Sequence, residues 1–175
     1  MTKPSPTVGS RVRSKKSQSK KSSKKPSGRL FVVRRSGIHG KGGFALQTIP
    51  KGTRLVEYKG EIITWATVNR RYPEDDDDQQ NHTFLFEVDD KRVIDANVGG
   101  NSARWINHSC TPNCEAVGED DRIFIESIKP IRAGEELLYD YNIQLPERHT
   151  PTLKRQYLCY CGTRKCRGTI LGKKG

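Results

Sequence analysis

Asn107-His108-Ser109-Cys110-Thr111-Pro112-Asn113-Cys114 puts an amide, an imidazole and two thiols into eight residues. A second stretch, Cys159-Tyr160-Cys161-Gly162-Thr163-Arg164-Lys165-Cys166, holds the other three cysteines. The Cys-x-Cys-Gly-x3-Cys spacing reads as a zinc knuckle with only three thiolates, whereas a structural zinc site takes four ligands in a tetrahedron. The fourth ligand is then His149, Cys110 or Cys114. A site shared with 107–114 folds the C-terminal segment over that stretch only when metal is bound, and the cleft closed between them is the candidate active site. A cysteine-hydrolase reading of His108 and Cys110 is weaker, because no third group is evident to orient the pair.

At 175 residues the chain is one domain with a tail. The net charge is +12, but residues 1–29 hold ten Lys/Arg and no Asp or Glu, which leaves 22 basic against 20 acidic residues elsewhere. The basicity therefore belongs to the tail and does not make the folded part a nucleic-acid-binding domain. No apolar run is long enough to span a membrane, and no apolar segment follows the charged N-terminus to make a secretory signal. Clustered cysteines without such a signal favour metal over disulfides and a reducing compartment.

Residues 1–28 are rich in Lys, Ser and Pro and poor in hydrophobes, so they are expected to be disordered. Their lysines suit a polyanion contact, a nuclear-import signal or methyl acceptors. From Arg29 onward the pattern predicts short strands at 30–33, 44–46, 54–58, 61–63, 83–88, 92–94, 122–126 and 136–141, with a glycine-rich turn over 36–43. A helix is predicted over 64–71, capped by Thr64, and one or two helical turns over 101–106. Glu74–Asp78 is an acidic loop suited to steering a lysine-rich partner. Many short strands and one substantial helix make a mostly β domain.

These residues resemble the SET-domain protein lysine methyltransferases with a post-SET zinc knuckle. The resemblance rests on six motifs in order: 36–45 (Ser-Gly-Ile-His-Gly-Lys-Gly-Gly-Phe-Ala), 57–61 (Glu-Tyr-Lys-Gly-Glu), 93–96 (Val-Ile-Asp-Ala), 107–110 (Asn-His-Ser-Cys), 136–142 (Glu-Leu-Leu-Tyr-Asp-Tyr-Asn) and the knuckle at 159–166. It spans about Leu30 to Gly168, with a SET domain over 29–145 and a post-SET segment over 155–171. The fold it implies is a set of small curled β-sheets, with the Asn-His-x-Cys segment and the last strand forming a pseudoknot. No cysteine-rich pre-SET module precedes the SET domain in this sequence.

The resemblance implies transfer of a methyl group from S-adenosyl-L-methionine to a lysine of a histone or another basic protein. It implies main-chain cofactor contacts from His39, Gly40 and Lys41, with Gly42 permitting the turn. Asn107 would hold the methionine part and His108 the adenine. Phe84 and Leu158 would lie beside the cofactor. Tyr58, Phe86, Tyr139 and Tyr141 would form the lysine channel, with the Tyr141 hydroxyl orienting the amine. Tyr139, where the family has Phe or Tyr, points to mono- or dimethylation. Cys110 would be the fourth Zn2+ ligand beside Cys159, Cys161 and Cys166, leaving Cys114 spare. The lysine-rich tail makes automethylation part of this expectation. A catalytically silent SET scaffold that binds chromatin or a polyanion is the competing reading, and a small zinc-stapled nucleic-acid binder a weaker one. The compartment is open: chromatin in a eukaryote, cytoplasm or a delivered effector in a bacterium.

Overall fold

The computed structural model describes residues 9–10, 13–14, 28–73 and 84–173, the first two pairs as backbone. In chain order the elements are β1 (Gly9–Ser10), β2 (Arg13–Ser14), β3 (Phe31–Arg35), β4 (Lys41–Ala45), β5 (Arg54–Tyr58), β6 (Glu61–Thr64), α1 (Trp65–Arg71), β7 (Leu85–Glu87) and β8 (Arg92–Asp95). A 3-10 turn at Ser102–Trp105 follows, then β9 (Asn107–His108), β10 (Cys114–Glu119), β11 (Arg122–Ser127), β12 (Glu136–Tyr139), β13 (Ile143–Gln144) and α2 (Pro151–Gln156). One sheet has the order β13-β1-β7-β8-β6. The other runs β3-β4-β12-β10-β11-β5, with β2 paired to β10 and β9 paired to β12. The mostly β, curled-sheet fold expected from the sequence is the fold observed. Among the described residues no helix is long and apolar enough to cross a membrane.

Local chemistry explains the elements. The Thr64 hydroxyl accepts the Thr67 N–H at 3.3 Å and starts α1, as a capping threonine should. Asn101 caps the 3-10 turn by accepting the Ala103 N–H. At Asp89 one carboxylate oxygen accepts the N–H groups of Lys91 and Arg92, which closes the expected β7–β8 hairpin. The β10–β11 hairpin turns on Asp120 and Asp121, with φ of 49° and 60°. Two positive φ angles make the tight turn that matches strand twist, and Asp carries it here without the usual glycine.

Some boundaries differ from expectation. β4 begins at Lys41, inside the stretch read as turn, because residues 41–45 pair with β3. β12 stops at Tyr139 rather than Tyr141, because Asp140 Oδ1 accepts the Asn142 N–H and Asn142 takes φ 47°. That side-chain turn breaks the ladder. β10, β13 and α2 were not expected. The α2 signal is Thr150 as cap with Pro151 in the first turn, a favoured helix start. Within 1–28, residues 9–10 and 13–14 pair as β1 and β2; the rest of that stretch and the acidic run Glu74–Asp78 lie outside the described residues.

The main core gathers Phe31, Ile49, Ile106, Ile125, Ile131 and Leu137 between the sheets, each at most 5% exposed. Ile106 puts this core directly under the Asn107–Cys110 stretch. A smaller cluster, Ile143, Leu145 and Leu171, seats the C-terminal segment.

Candidate active site

β9 lies parallel to β12, with Asn107 opposite Leu138 and His108 opposite Tyr139. The Ser109 N–H donates to Tyr139 O at 3.1 Å. Asn113 clasps the other side: its N–H donates to Leu138 O, its Oδ1 accepts the Leu138 N–H at 2.8 Å, and its Nδ2 donates to Glu136 O at 2.8 Å. A buried amide with its groups satisfied fixes geometry. The two motifs thus interlock through backbone. Asn113 was not singled out from sequence, although it lies inside the quoted stretch.

The glycine-rich turn is held by the same stretch. Asn107 Nδ2 donates to Lys41 O at 2.9 Å, to His39 O at 3.3 Å and to Glu136 Oε1 at 2.9 Å. Ser36 Oγ donates to the same Glu136 oxygen at 2.7 Å. At Gly42 a Cβ would collide with the Glu136 carboxylate, so the turn needs a residue without one. Asn107 therefore positions the turn first of all, and its amide nitrogen is committed to that task.

Tyr58, Tyr139 and Tyr141 converge. The Tyr139 and Tyr141 rings lie 4.8 Å apart, and the Tyr141 hydroxyl donates to Ile106 O at 3.1 Å. The Tyr58 hydroxyl donates to Phe84 O at 3.2 Å. Burial raises the phenol pKa of both Tyr58 and Tyr141 above the ordinary value, so both stay protonated at neutral pH. Phe86 departs from its expected place. It is 1% exposed, 5.1 Å from Tyr58 and 6.2 Å from Tyr139, and backs the tyrosines from the core.

His108 bridges two centres. The Tyr141 N–H donates to its Nδ1 at 3.1 Å. Burial pushes the imidazole pKa down to about 4, although Asp140 pulls the other way. A neutral ring accepting at Nδ1 carries its proton on Nε2, which faces Cys110 Sγ at 3.4 Å.

Cys110, Cys159, Cys161 and Cys166 bring their sulfur atoms within 4.8 Å of one another. Cys110 Sγ lies 3.7 Å from Cys159 Sγ and 4.0 Å from Cys166 Sγ. Tetrahedral zinc–sulfur bonds of about 2.3 Å give edges of about 3.8 Å. Thiolates also want donors. The N–H groups of Cys161, Arg167 and Gly168 point at Cys159, Cys110 and Cys166, and the Thr163 hydroxyl lies 3.4 Å from Cys161 Sγ. The four residues therefore fit a zinc ion. Cys114 is fully buried in the core, where burial pushes its thiol up to about 12. His149 is engaged with the Leu145 N–H and Gly172 O. Neither joins the cluster.

Tyr58, Tyr139, Tyr141 and His108 line one cleft, a concave site of the kind that takes a small molecule. His39 and Lys41 line it from the turn, and Phe84, Asn107, His108 and Leu158 complete the expected cofactor side. Gly40, at φ 41°, shapes the turn without lining the cleft. The sequence reading missed Arg104, Trp105, Tyr157 and Tyr160, which also line it. Trp105 takes Lys41 Nζ at 4.6 Å and the Arg104 guanidinium at 4.6 Å over its ring. A Trp beside the Asn-His motif was the available signal.

The SET domain family matches residues 40–142. The chain is 38% identical over 137 residues to the histone-lysine N-methyltransferase, H3 lysine-4 specific, of Mycosarcoma maydis, covering 76% of this chain and 9% of that protein. It is 37% identical over 140 residues to human histone-lysine N-methyltransferase SETD1A, covering 78% of this chain and 8% of that protein. It is 38% identical over 141 residues to the histone-lysine N-methyltransferase trithorax of Drosophila virilis, covering 77% of this chain and 3% of that protein. The chain thus spans less than a tenth of the length of these relatives. The matched region contains the interlocked β9 and β12, the second half of the glycine-rich turn and Tyr58, Tyr139 and Tyr141, and the chain belongs to the SET-domain family.

Proposed function

We propose that this chain is an S-adenosyl-L-methionine-dependent protein lysine N-methyltransferase that adds one or two methyl groups to a histone or another lysine-rich protein. The observation that carries the proposal is the meeting, in one cleft, of the Asn107-held turn with Tyr58, Tyr139 and Tyr141. The histone-lysine N-methyltransferase activity named for the relatives supports it.

When bound, S-adenosyl-L-methionine supplies an electrophilic methyl group for in-line transfer to the lysine nitrogen. Asn107, His108 and the backbone of residues 39–41 form the cofactor side, with Phe84, Trp105 and Leu158 as apolar walls. Tyr58 and Tyr141 are protonated, so they orient the amine and leave its proton to solvent. A free lysine amine titrates at about 10.4. The buried aromatic walls favour its neutral, nucleophilic form, and alignment is the main requirement that remains. Cys110, Cys159, Cys161 and Cys166 would hold Zn2+ and close the C-terminal segment over the cleft. Tyr139 narrows the channel with a hydroxyl-bearing ring, which favours low methylation states.

The test is labelled methyl transfer to a panel of histones, basic peptides and the chain alone, with site mapping by mass spectrometry. Transfer to lysine, abolished by Tyr141→Phe, is expected. Stoichiometric cofactor binding with no transfer to any basic protein would instead favour the silent scaffold.

A further inference from the structure

β1 occupies a slot between β7 and β13: Ser10 is in parallel register with Phe86 and in antiparallel register with Ile143. Phe86 backs Tyr139, and Ile143 lines the cleft two residues after Tyr141. β1 therefore lies between the two strands that contribute Leu85 and Ile143 to the lining of the cleft. The chain then reaches β2, which pairs in parallel with Val117 and Gly118 of β10. β1 and β2 contain no lysine; the nearest are Lys3 and Lys15.

We propose that β1 is an internal occupant of this slot, a lysine-free strand that competes in cis with the extended basic segment of a protein substrate. The competition rests on the methyltransferase reading; the docking does not. Two features of the backbone carry it. The Val88 N–H donates to Arg92 O, and the Ala96 N–H donates to Phe84 O. Residues 84, 86 and 88 thus face β8, so Leu85 and Glu87 turn their carbonyl and amide groups towards β1 by strand alternation. Leu85 is 8% exposed, and polar backbone at such a position needs a partner. Such an edge accepts any extended chain through main-chain hydrogen bonds. The second feature is tethering. A tethered segment acts at an effective concentration of about millimolar, so even a short, weak strand holds the slot against a dilute external peptide. A small polar segment also specifies its register weakly, so it leaves readily when a better-fitting chain arrives.

The test uses the full chain carrying Ser10→Pro. Proline removes the N–H in register with Phe86 and alters no residue of the described core. Hydrogen exchange followed by mass spectrometry is read at Glu87 and Gln144. In parallel, binding of a fluorescein-labelled synthetic copy of residues 7–14, which carries no lysine, is read by anisotropy. Exchange about tenfold faster at both amides, and tighter binding of the labelled peptide by a similar factor, are expected in the variant at unchanged thermal midpoint. Equal exchange and equal affinity in the two proteins would overturn the docking. If docking holds and the chain methylates a substrate, the unlabelled peptide should raise the KM for that substrate and leave kcat unchanged. An unchanged KM would overturn the competition. Absence of methylation in both proteins, with the exchange and binding differences intact, would sink the enzymatic reading and leave the docked strand standing.

Discussion

Arg167 joins the cysteine cluster to the end of β12, and its removal is the most informative single change. It lies between Cys166 and Gly168. Its Nη1 donates to Asp140 Oδ2 at 2.6 Å and its Nη2 to Asp140 Oδ1 at 2.8 Å. The two side chains are only 20% and 32% exposed. Asp140 stands between Tyr139 and Tyr141, accepts the Asn142 N–H, and lies 3.5 Å from His108 Nδ1. Charge-assisted hydrogen bonds of this kind contribute about 1.5–3 kcal/mol each. Stranding a fully buried carboxylate costs about 3–5 kcal/mol. With both groups partly wet, we expect Arg167→Met to cost about 2–3 kcal/mol at pH 7.

The pH dependence fixes the sign. Burial works to raise the Asp140 pKa, but the bidentate bond to Arg167 and its charge hold it below the usual carboxylate range. A depressed folded-state pKa contributes stability that is complete above the unfolded value of about 3.9 and is lost as pH falls through the folded value. The difference between wild type and variant should therefore be flat from pH 5 to 7 and shrink below pH 4. Urea unfolding of wild type, Arg167→Met, Asp140→Asn and the double variant gives the coupling directly, and about 2 kcal/mol is expected. Because Asp140 sets the turn that carries Tyr141, kcat should fall about tenfold in Arg167→Met, as displacement of a reacting group does. A coupling below about 0.5 kcal/mol would refute the reasoning, since the pair would then be no better than an exposed one.

Four further outcomes are expected. Tyr139→Phe should raise the product methylation state; mass spectrometry showing the same mixture would remove the argument from channel volume. Zinc should bind at one ion per chain, and Cys110→Ser should lose it, read by metal analysis, whereas Cys114→Ser should keep it. Gly42→Ala should displace the Glu136 carboxylate from Ser36 and Asn107 and cost about 1–3 kcal/mol by overpacking, with weaker cofactor binding by calorimetry; a neutral result would mean the turn is softer than its geometry. Asp95 is fully buried, and the Tyr72 hydroxyl and Arg71 guanidinium, each bonded to it, outweigh burial and depress its pKa. It should therefore contribute stability above about pH 4 that falls away in acid, visible as the loss of the gap between wild type and Asp95→Asn.

The chemistry of the site was more legible than its edges. Spacing alone does not separate Cys110 from Cys114; the family resemblance points to Cys110, and the fold gives the physical reason, with one side chain facing the knuckle and the other the core. By the family resemblance Asn107 is a contact to the methionine part of the cofactor. Its commitment to two carbonyls and Glu136 depends on residues 66, 68 and 29 positions away. The family resemblance places Phe86 in the channel, but it packs in the core against Tyr58 and Tyr139 and does not line the cleft. β10 was missed because Glu115 to Gly118 carry little apolar signal. Its strand is made by the partner β11, which was found, and by a two-aspartate turn without glycine. Long-range pairing of this kind overrides local pattern.

The stretch 107–110 explains why the knuckle and the cleft should act as one unit. The Tyr141 N–H donates into one face of His108, and the other face meets Cys110. Asn107, one residue earlier, holds the glycine-rich turn. Four consecutive residues thus touch the cofactor side, the channel tyrosine and the metal ligands. Arg167 returns from the knuckle to Asp140 and closes the circuit. If zinc is removed, the four sulfurs lose their common partner and the C-terminal segment, held otherwise by the small Leu171 cluster, loosens. Cys110 beside His108 then becomes a free thiol, a weaker acceptor than a thiolate, and Leu158 and Tyr160 leave the cleft wall. Metal removal should therefore weaken cofactor binding by more than the fall in folded fraction accounts for. Calorimetry on chelated protein that remains folded by circular dichroism makes the comparison. An unchanged dissociation constant there would show that the knuckle is a clamp on the fold and not part of the site.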